Sequence, residues 1–548
     1  MLKLSSFRSV ASVAVLCAFT SSGTAQTVQW MRQGGWGGQG QGIAYDASEN
    51  CYVVGMVGDP ALFDQDTMAS HFADAFIAKY DPAGVLQWVR TGGGELAEQA
   101  SDIVVDAAGN AYVTGYIATN GVLPTVEFDG TVITGLGATD LFVAKYDPSG
   151  TLQWFRYGGG ALAEQGRGIA FTPDGDLVVS GFFQGTAVFG ADTLVSAGLG
   201  DIVLLKYDTN GNQLWSARNG GPGDEQAGKL TTLPNGDIAM VGEFQQTVVF
   251  GGSSITSTGL ANIFLARYNA AGDALWAVRA GSTTGFAADV AFDIDHAANG
   301  DLVFCGEIAG TADFGGLTVP TNGSLDVFIA RYDGTGAPIW VRHGGGPQQD
   351  HAYGVSVDAD GNSYLTGQAD DGASTMFDSI LLAPFGNESV FLAKYDAAGA
   401  VQWVRRYAPG SGRAVATLPG GCLYFTGGAS GIVGQPAFDS IPWQYVDRAI
   451  FSAQFCAPLS TALPDETTTS QFLLYPNPVA DVLTVQLAHF KIADAELQLL
   501  DATGRVVQRA RVRTGQQQVD VSALPTAVYQ AILLQGNAVQ SAQIVIMR

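Results

Sequence analysis

The sequence predicts an all-β fold: a seven-bladed β-propeller closed by its own N-terminal strand, followed by a small Ig-like β-sandwich. Three observations predict it. A strand motif F-[IVL]-A-[KR]-Y-[DN], followed by a Leu-x-Trp strand, recurs with tryptophans at Trp30, Trp88, Trp154, Trp215, Trp276, Trp340 and Trp403, at intervals of 58 to 66 residues. A period this regular marks one supersecondary unit copied along the chain. The composition, with 72 glycines and only 14% charged residues in 548, suits many short strands joined by tight turns. The two ends of the array are broken in complementary ways. Val28-Gln-Trp30-Met-Arg32 stands alone as a Leu-x-Trp strand, and Ile450-Phe451-Ser-Ala453-Gln-Phe455 has no such strand after it. The first strand therefore completes the last blade and removes an open sheet edge.

Residues 1–25 read as an export signal. Lys3 and Arg8 give a positive start, Val10 to Phe19 is an apolar run too short to stay as a membrane anchor, and Gly23-Thr-Ala25 supplies small residues before Gln26. Cys17 is preceded by Leu16 where a lipid-attachment signal wants a small residue, so plain export is expected. Four cysteines remain, Cys51, Cys305, Cys422 and Cys456, and both free buried thiols and disulfides suit that count. Of the pairings, Cys422 with Cys456 is the expected one, because both fall in the last unit.

Residues 26–456 are assigned to the propeller. In the unit 74–115, Phe76, Ala78 and Tyr80 alternate, Asp81-Pro-Ala-Gly84 turns, and Leu86, Trp88 and Arg90 alternate again. A GGG loop leads to the apolar strand Ile103-Val-Val105, a second turn Asp106-Ala-Ala-Gly109, and the strand Tyr112-Val-Thr114. Four antiparallel strands per unit make a blade. One tryptophan per blade at a fixed strand position reads as packing between blades, each worth about 2–3 kcal/mol by burial. With the F-x-A-x-Y, L-x-W, GGG and GN-x-Y-V-x-G motifs in fixed order, the array resembles the SBBP-type β-propeller repeat of secreted bacterial proteins. That resemblance implies a fold and export, and no single activity.

Residues 457–471, including Pro458 and Pro464, read as a linker. From 472 to 548 a second all-β pattern follows, with strand candidates at Leu483–Leu487, Leu497–Leu499, Val506–Val507, Val519–Val521 and Ile544–Ile546. Tyr475-Pro476-Asn477-Pro478 with Asp481 and Leu483, then Asp501-Ala-Thr-Gly504-Arg505, then Leu524-Pro525 and Val528-Tyr529, resemble the C-terminal sorting domain of the type IX secretion system of Bacteroidetes. The resemblance implies passage through the inner and outer membranes, engagement by the type IX machinery, and release or attachment at the cell surface.

The tail carries six basic and five acidic residues and the first 25 carry two basic ones, leaving 18 basic against 46 acidic over 26–471. So acidic a chain excludes nucleic acid and disfavours anionic membrane as partners. Aligned units place Glu98-Gln99, Glu164-Gln165, Glu225-Gln226 and Asp350-His351 at one position of the loop entering each apolar strand, with Gln39 in blade 1. Such a ring of carboxylates and amides would face a polar ligand or a calcium ion. The competing reading is that each pair braces its own loop. Asp74, Asp140, Asp201, Asn262 and Asp326 precede the F-x-A-x-Y strand and read as turn caps. His343 and His351 lack a third ligand for zinc, and no hydrolase or nucleotide motif is present. These features favour a non-enzymatic, exported binding module, with glycan or protein as ligand and no required cofactor. An extracellular polysaccharide hydrolase or lyase, and a structural surface-layer component, are the alternatives.

Overall fold

The computed structural model describes residues 27–456 and 472–546, except 60, 64–65, 69–72, 284–286, 371–374, 383–387, 431–435, 440 and 443–448 in the first stretch and 476–478, 488–494, 501–504, 513–515 and 536–537 in the second. The expected export signal (1–25) and linker (457–471) lie outside these residues. The chain divides into two compact units, 1–460 and 461–548.

Tight turns set the strand length in the first unit. Asp106 accepts hydrogen bonds from the backbone N–H groups of Ala108 and Asn110, both 2.9 Å, while Gly109 takes a φ of 83°. Between such turns the chain forms seven four-stranded antiparallel blades. Blade 1 runs outward from Gln39–Tyr45 through Cys51–Val57 and Asp74–Tyr80 to Leu86–Gly93. Blade 2 repeats this with Gln99–Val105, Ala111–Ala118, Thr139–Tyr146 and Leu152–Gly160. The first strands of successive blades lie side by side around the axis. The blade is therefore out of phase with the sequence unit. The F-x-A-x-Y and Leu-x-Trp strands are the outer pair of one blade, and the two strands after the GGG loop are the inner pair of the next.

The ring closes as the broken ends predict. Thr27–Trp36 pairs antiparallel with Ala449–Cys456, Thr27 opposite Cys456 and Met31 opposite Ala453, and is the outer strand of the blade built from Gly410–Thr417 and Leu423–Ala429. Val28, Trp30 and Met31 are buried there. Cys422 and Cys456 form the expected disulfide, and Cys51 and Cys305 are free and buried.

Most joints between blades are held by side chains seated on glycine. Trp88 on the outer strand of blade 1 lies over Gly150 in the outer turn of blade 2, where a Cβ would stand 2.6 Å from the indole, and its Nε1 donates to Pro148 O at 2.9 Å. Trp30 on Gly84, Trp154 on Gly211 and Trp340 on Gly399 repeat the contact. Arg32, Arg156 and Arg342, two residues on, donate to the carbonyl of that same glycine. At blade 7 the chain has no outer turn, and Trp403 packs on Phe455 with ring centroids 5.3 Å apart.

The sequence reading missed a second clasp. Between the second and third strands of blade 2 the hairpin Thr125–Phe128 and Thr131–Thr134 reaches back to blade 1, placing Phe128 opposite Gly92. A Cβ on Gly92 would stand 2.2 Å from the Phe128 ring, so the first glycine of the GGG loop is the seat for that phenylalanine. Phe63 on Gly34, Phe189 on Gly158 and Phe377 on Gly344 do the same. The apolar cores accordingly straddle neighbours: Tyr52 and Ile77 of blade 1 share one cluster with Val113, Phe128 and Phe142 of blade 2.

The second unit is a two-sheet sandwich. Phe472–Tyr475, Val482–Leu487 and Gln516–Asp520 form one sheet, and Val506–Val512, Ala495–Leu500, Ala527–Gln535 and Ala538–Ile546 the other. Leu483, Val485, Leu497, Leu499, Val519 and Ile544 fill the core between them.

Deleting residues 27–33 should lower the melting temperature of the propeller far more than seven surface residues would. The deletion removes three buried side chains worth about 2 kcal/mol each and reopens the ring. An unchanged melting curve by circular dichroism would refute closure by this strand.

Candidate functional site

The acids singled out in the sequence lie between blades rather than open to solvent. Glu98, Glu164, Glu225 and Asp350 are fully buried at the start of the inner strands, each beside the residue that opens the third strand of the preceding blade. A Cβ on Gly159 would stand 2.2 Å from Asp140 Oδ1 and 2.7 Å from Glu164 Oε2. The second glycine of the GGG loop is therefore the seat of a carboxyl pair, as the first is the seat of a phenylalanine. Gly93 stands likewise against Glu98 and Asp74, and Gly345 against Asp326, the partner of Asp350.

Burial raises the affinity of these acids for a proton. It pushes Glu98 to about 8 and Glu164, Glu225 and Asp326 to about 7, with the neighbouring acid adding to the effect, while loop N–H donors pull back. Burial also raises Asp140 and Asp201 and takes Asp350 to about 6. The joint between blades 4 and 5 shows what the pair needs. There Asn262 replaces the aspartate, its Nδ2 donates to Asp289 Oδ2 at 2.9 Å, and its Oδ1 accepts from Thr258 N at 2.7 Å. Asp140 Oδ1 and Asp326 Oδ1, in the same position, have no hydrogen-bond partner. A protonated carboxyl at this position would supply the donor that the amide supplies in blade 4. Calcium fits poorly: Glu98 accepts from Gly94 N at 2.9 Å, and Asp350 from Gly346 N at 2.7 Å and Asp370 N at 3.0 Å, so N–H dipoles already point at the oxygens a cation would need. Among the described residues, no three His, Cys, Asp or Glu converge as metal ligands. The brace reading of this loop is the one its geometry supports.

The residues that line the axis are three positions further on. Each inner strand carries a β-bulge, where the pairing skips a residue: Gln41, Ser101, Arg167, Gly228 with Lys229, Phe292, Tyr353 and Arg413 in blades 1 to 7. A bulge re-aims its side chain, and here all seven line one cavity of about 200 Å³ on the axis. The position before the bulge is glycine or alanine in every blade: Gly40, Ala100, Gly166, Ala227, Ala291, Ala352 and Gly412. A Cβ on Gly40, Gly166 or Gly412 would meet a threonine hydroxyl at 2.0 to 2.2 Å. The packed position is uniform and the cavity position differs in nearly every copy.

Of the expected ring, Gln99 and Gln226 reach this cavity. Gln39 Nε2 instead donates to Ser411 Oγ of blade 7 at 2.8 Å, and Gln165 stands beside Arg167 on the inner strand of blade 3. His351 pairs with Glu307 and stacks on Tyr353 at 5.5 Å. His343 sits on the outer strand of blade 5, away from it. Lys229 lies between Asp102 at 3.0 Å and Asp293 at 4.0 Å, an ionic crossbar from blades 2, 4 and 5. In the second unit, Tyr475 ends a strand and Asp481 and Arg505 are exposed, while Pro476, Asn477, Pro478 and Gly504 lie outside the described residues.

Residues 473–547 match the secretion system C-terminal sorting domain. Over 405 residues the chain is 24% identical to an uncharacterized WD repeat-containing protein of Acanthamoeba polyphaga mimivirus, covering 59% of this chain and 29% of that protein. Over 188 residues it is 26% identical to the regulatory protein FlaEY of Caulobacter vibrioides, covering 33% of this chain and 19% of that one. The chain thus spans less than a third of either relative. A solved structure of PorZ, a surface component of the type IX secretion system of Porphyromonas gingivalis, aligns over 95% of this chain and 100% of its own, at 10% identity and a TM-score of 0.15.

The carboxyl pairs predict a pH dependence. Their folded-state affinity for protons exceeds that of the unfolded chain, so stability is full below about 4.5 and is lost as pH rises through about 7 to 8. Asp140→Asn, which installs the donor that blade 4 carries naturally, should raise the melting temperature at pH 8 by about 2 °C or more and leave it little changed at pH 5. Equal destabilisation at both pH values would refute a protonated carboxyl there.

Proposed function

We propose that this chain is an exported, non-enzymatic binding module, carried to the cell surface or beyond by type IX secretion and presenting the axial cavity of its propeller to an extracellular ligand. The observation that carries the binding role is the bulge ring: the positions where the seven copies disagree are the positions that share a void. Residues repeated in every blade are occupied in joining blades, whereas a rigid scaffold with variable inward positions suits recognition. The sorting domain at 473–547 supports export.

A glycosidase needs two carboxyl groups flanking an accessible bond, and the joint acids, among them Asp140 with Glu164 and Asp326 with Asp350, give the hydrolase alternative no support because they are buried between blades.

Two outcomes test the proposal. Deleting 472–548 should leave a folded propeller inside the cell and abolish its surface display or release in a strain with type IX secretion; normal delivery would sink the export reading. Ser101→Trp, which fills the cavity from blade 2, should reduce capture of extracellular glycans on an array at least about tenfold with an unchanged melting curve. Array binding by the parent chain that survives the substitution would move the ligand away from the axis.

A further inference from the structure

We infer that the axial cavity is a site for a small polyhydroxy carboxylate, a sugar acid of monosaccharide size, held by Arg167 and Arg413 from facing sides of the ring. The inference rests on the binding-module reading above and names the ligand class of its site.

Arg167 carries the argument. It comes from the bulge of blade 3, lines the cavity, and its Nε is buried with no hydrogen-bond partner. A guanidinium has five N–H donors and no way to lose its charge, so a buried donor without an acceptor is costly unless a ligand supplies one. The Phe182 ring lies 5.4 Å from its guanidinium carbon, and Tyr116 and Glu243 are close enough to act on its charge, but none of them satisfies the Nε N–H. Glu243 also lines the cavity, but it forms no ion pair with Arg167; burial, with Asp224 and Glu307 adding to it, pushes its carboxyl up to about 7 while Arg167 pulls it back.

Arg413 enters from blade 7, its guanidinium carbon 3.7 Å from the centre of the Tyr353 ring. Blades 3 and 7 stand three joints apart one way and four the other, so the two arginines face each other across the axis. Lys229 is occupied by Asp102 and Asp293 and serves as part of the wall. In a chain of net charge −25, two guanidinium groups converging on one void make a local positive site within an acidic protein.

The rest of the lining selects among anions. Gln41, Gln99, Gln226 and Ser101 present amide and hydroxyl groups that donate and accept, which suits hydroxyls. Phe292 and Tyr353, 5.0 Å apart, give the opposite wall an apolar surface. The Nε2 of Gln99 already donates to Ser101 Oγ at 3.4 Å and that of Gln226 to Asp224 Oδ2 at 3.5 Å, so their amide oxygens are what a hydroxyl donor would serve, and a bare inorganic anion has none. A neutral sugar would give the Arg167 Nε no charged acceptor. At about 200 Å³ the cavity is below the range of drug-sized pockets, which limits the ligand to about one ring.

The test is titration calorimetry of the purified full chain with glucuronate, glucose and sulfate at low ionic strength. Glucuronate should bind at least about tenfold more tightly than either of the others, since each lacks one half of the match. Arg167→Gln and Arg413→Gln should each weaken glucuronate at least about tenfold, with melting curves near that of the parent. Glucose or sulfate binding as tightly as glucuronate, or no binding of glucuronate, would overturn the assignment. Array capture of other glycans by the same preparation, with no glucuronate response, would overturn this ligand class alone; silence on the array as well would remove the binding-module reading with it.

Discussion

The joint between blades is the constraint on which the rest of this structure depends. A ring of seven sheets stands only if each sheet packs on the next at nearly the same angle and distance, and here most of the contacts that fix that distance are intrusions into glycine, the joint of blades 6 and 7 excepted. The Phe128 ring occupies the space of a Gly92 side chain, a carboxyl pair occupies that of Gly93, and the Trp88 indole covers Gly150. Each contact joins one blade's outer strand to its neighbour's hairpin, inner-strand entry or outer turn. Substituting any of these glycines places a Cβ within 2.2 to 2.6 Å of an atom belonging to the neighbouring blade or to the carboxyl pair. The GGG loop, which looks in sequence like a flexible connector, is packed against the neighbouring blade and the carboxyl pair at its first two positions.

From that constraint follows the division of labour along the inner strand. Three consecutive kinds of position occur within a few residues: an acid consumed by the joint (Glu164), a small residue consumed by packing against a threonine of the blade before (Gly166), and a bulged residue consumed by neither (Arg167). The first two are shared by most or all blades because the same neighbour contact recurs. The third is released by the bulge from its own ladder, so sequence can vary there without disturbing a joint. The ring of Gln41, Ser101, Arg167, Phe292, Tyr353 and Arg413 is variable for the same physical reason that the rest of the repeat is not.

Much of this was legible in the chain. The tryptophan period gave seven blades, the orphaned Val28–Arg32 strand gave the closure, and the terminal motifs gave the sorting domain. The hairpin clasp was missed although its signal, a phenylalanine followed by Asp or Gly as at Phe63, Phe128, Phe189, Phe250, Phe314, Phe377 and Phe438, repeats along the array. The sequence offered the acid loop both as a ligand ring and as a brace, and the residues that line the axial cavity lie three positions further on. Nothing local in the sequence marks a β-bulge, since it is defined by register against the next strand. The pattern that would have found it is the invariance of the small residue before it set against the variety of the residue itself.

Repetition also explains how a buried acid can persist at these joints. A single carboxyl in such a place is expensive, and burying two side by side costs more still unless one of them keeps its proton. At the joint of blades 3 and 4, Arg218 relieves the pair by reaching Asp201 at 3.0 Å, and at the joint of blades 4 and 5 Asn262 relieves it with an amide. These are two independent local solutions to one shared problem, found in neighbouring copies of one unit. The pairs Asp140 with Glu164 and Asp326 with Asp350 have neither relief, only loop N–H donors, and their raised affinity for a proton makes a proton the donor that would serve there. The same backbone seat thus accepts a cation, an amide or a proton. What it requires is a donor between the two acids, and the identity of that donor decides how each joint responds to pH.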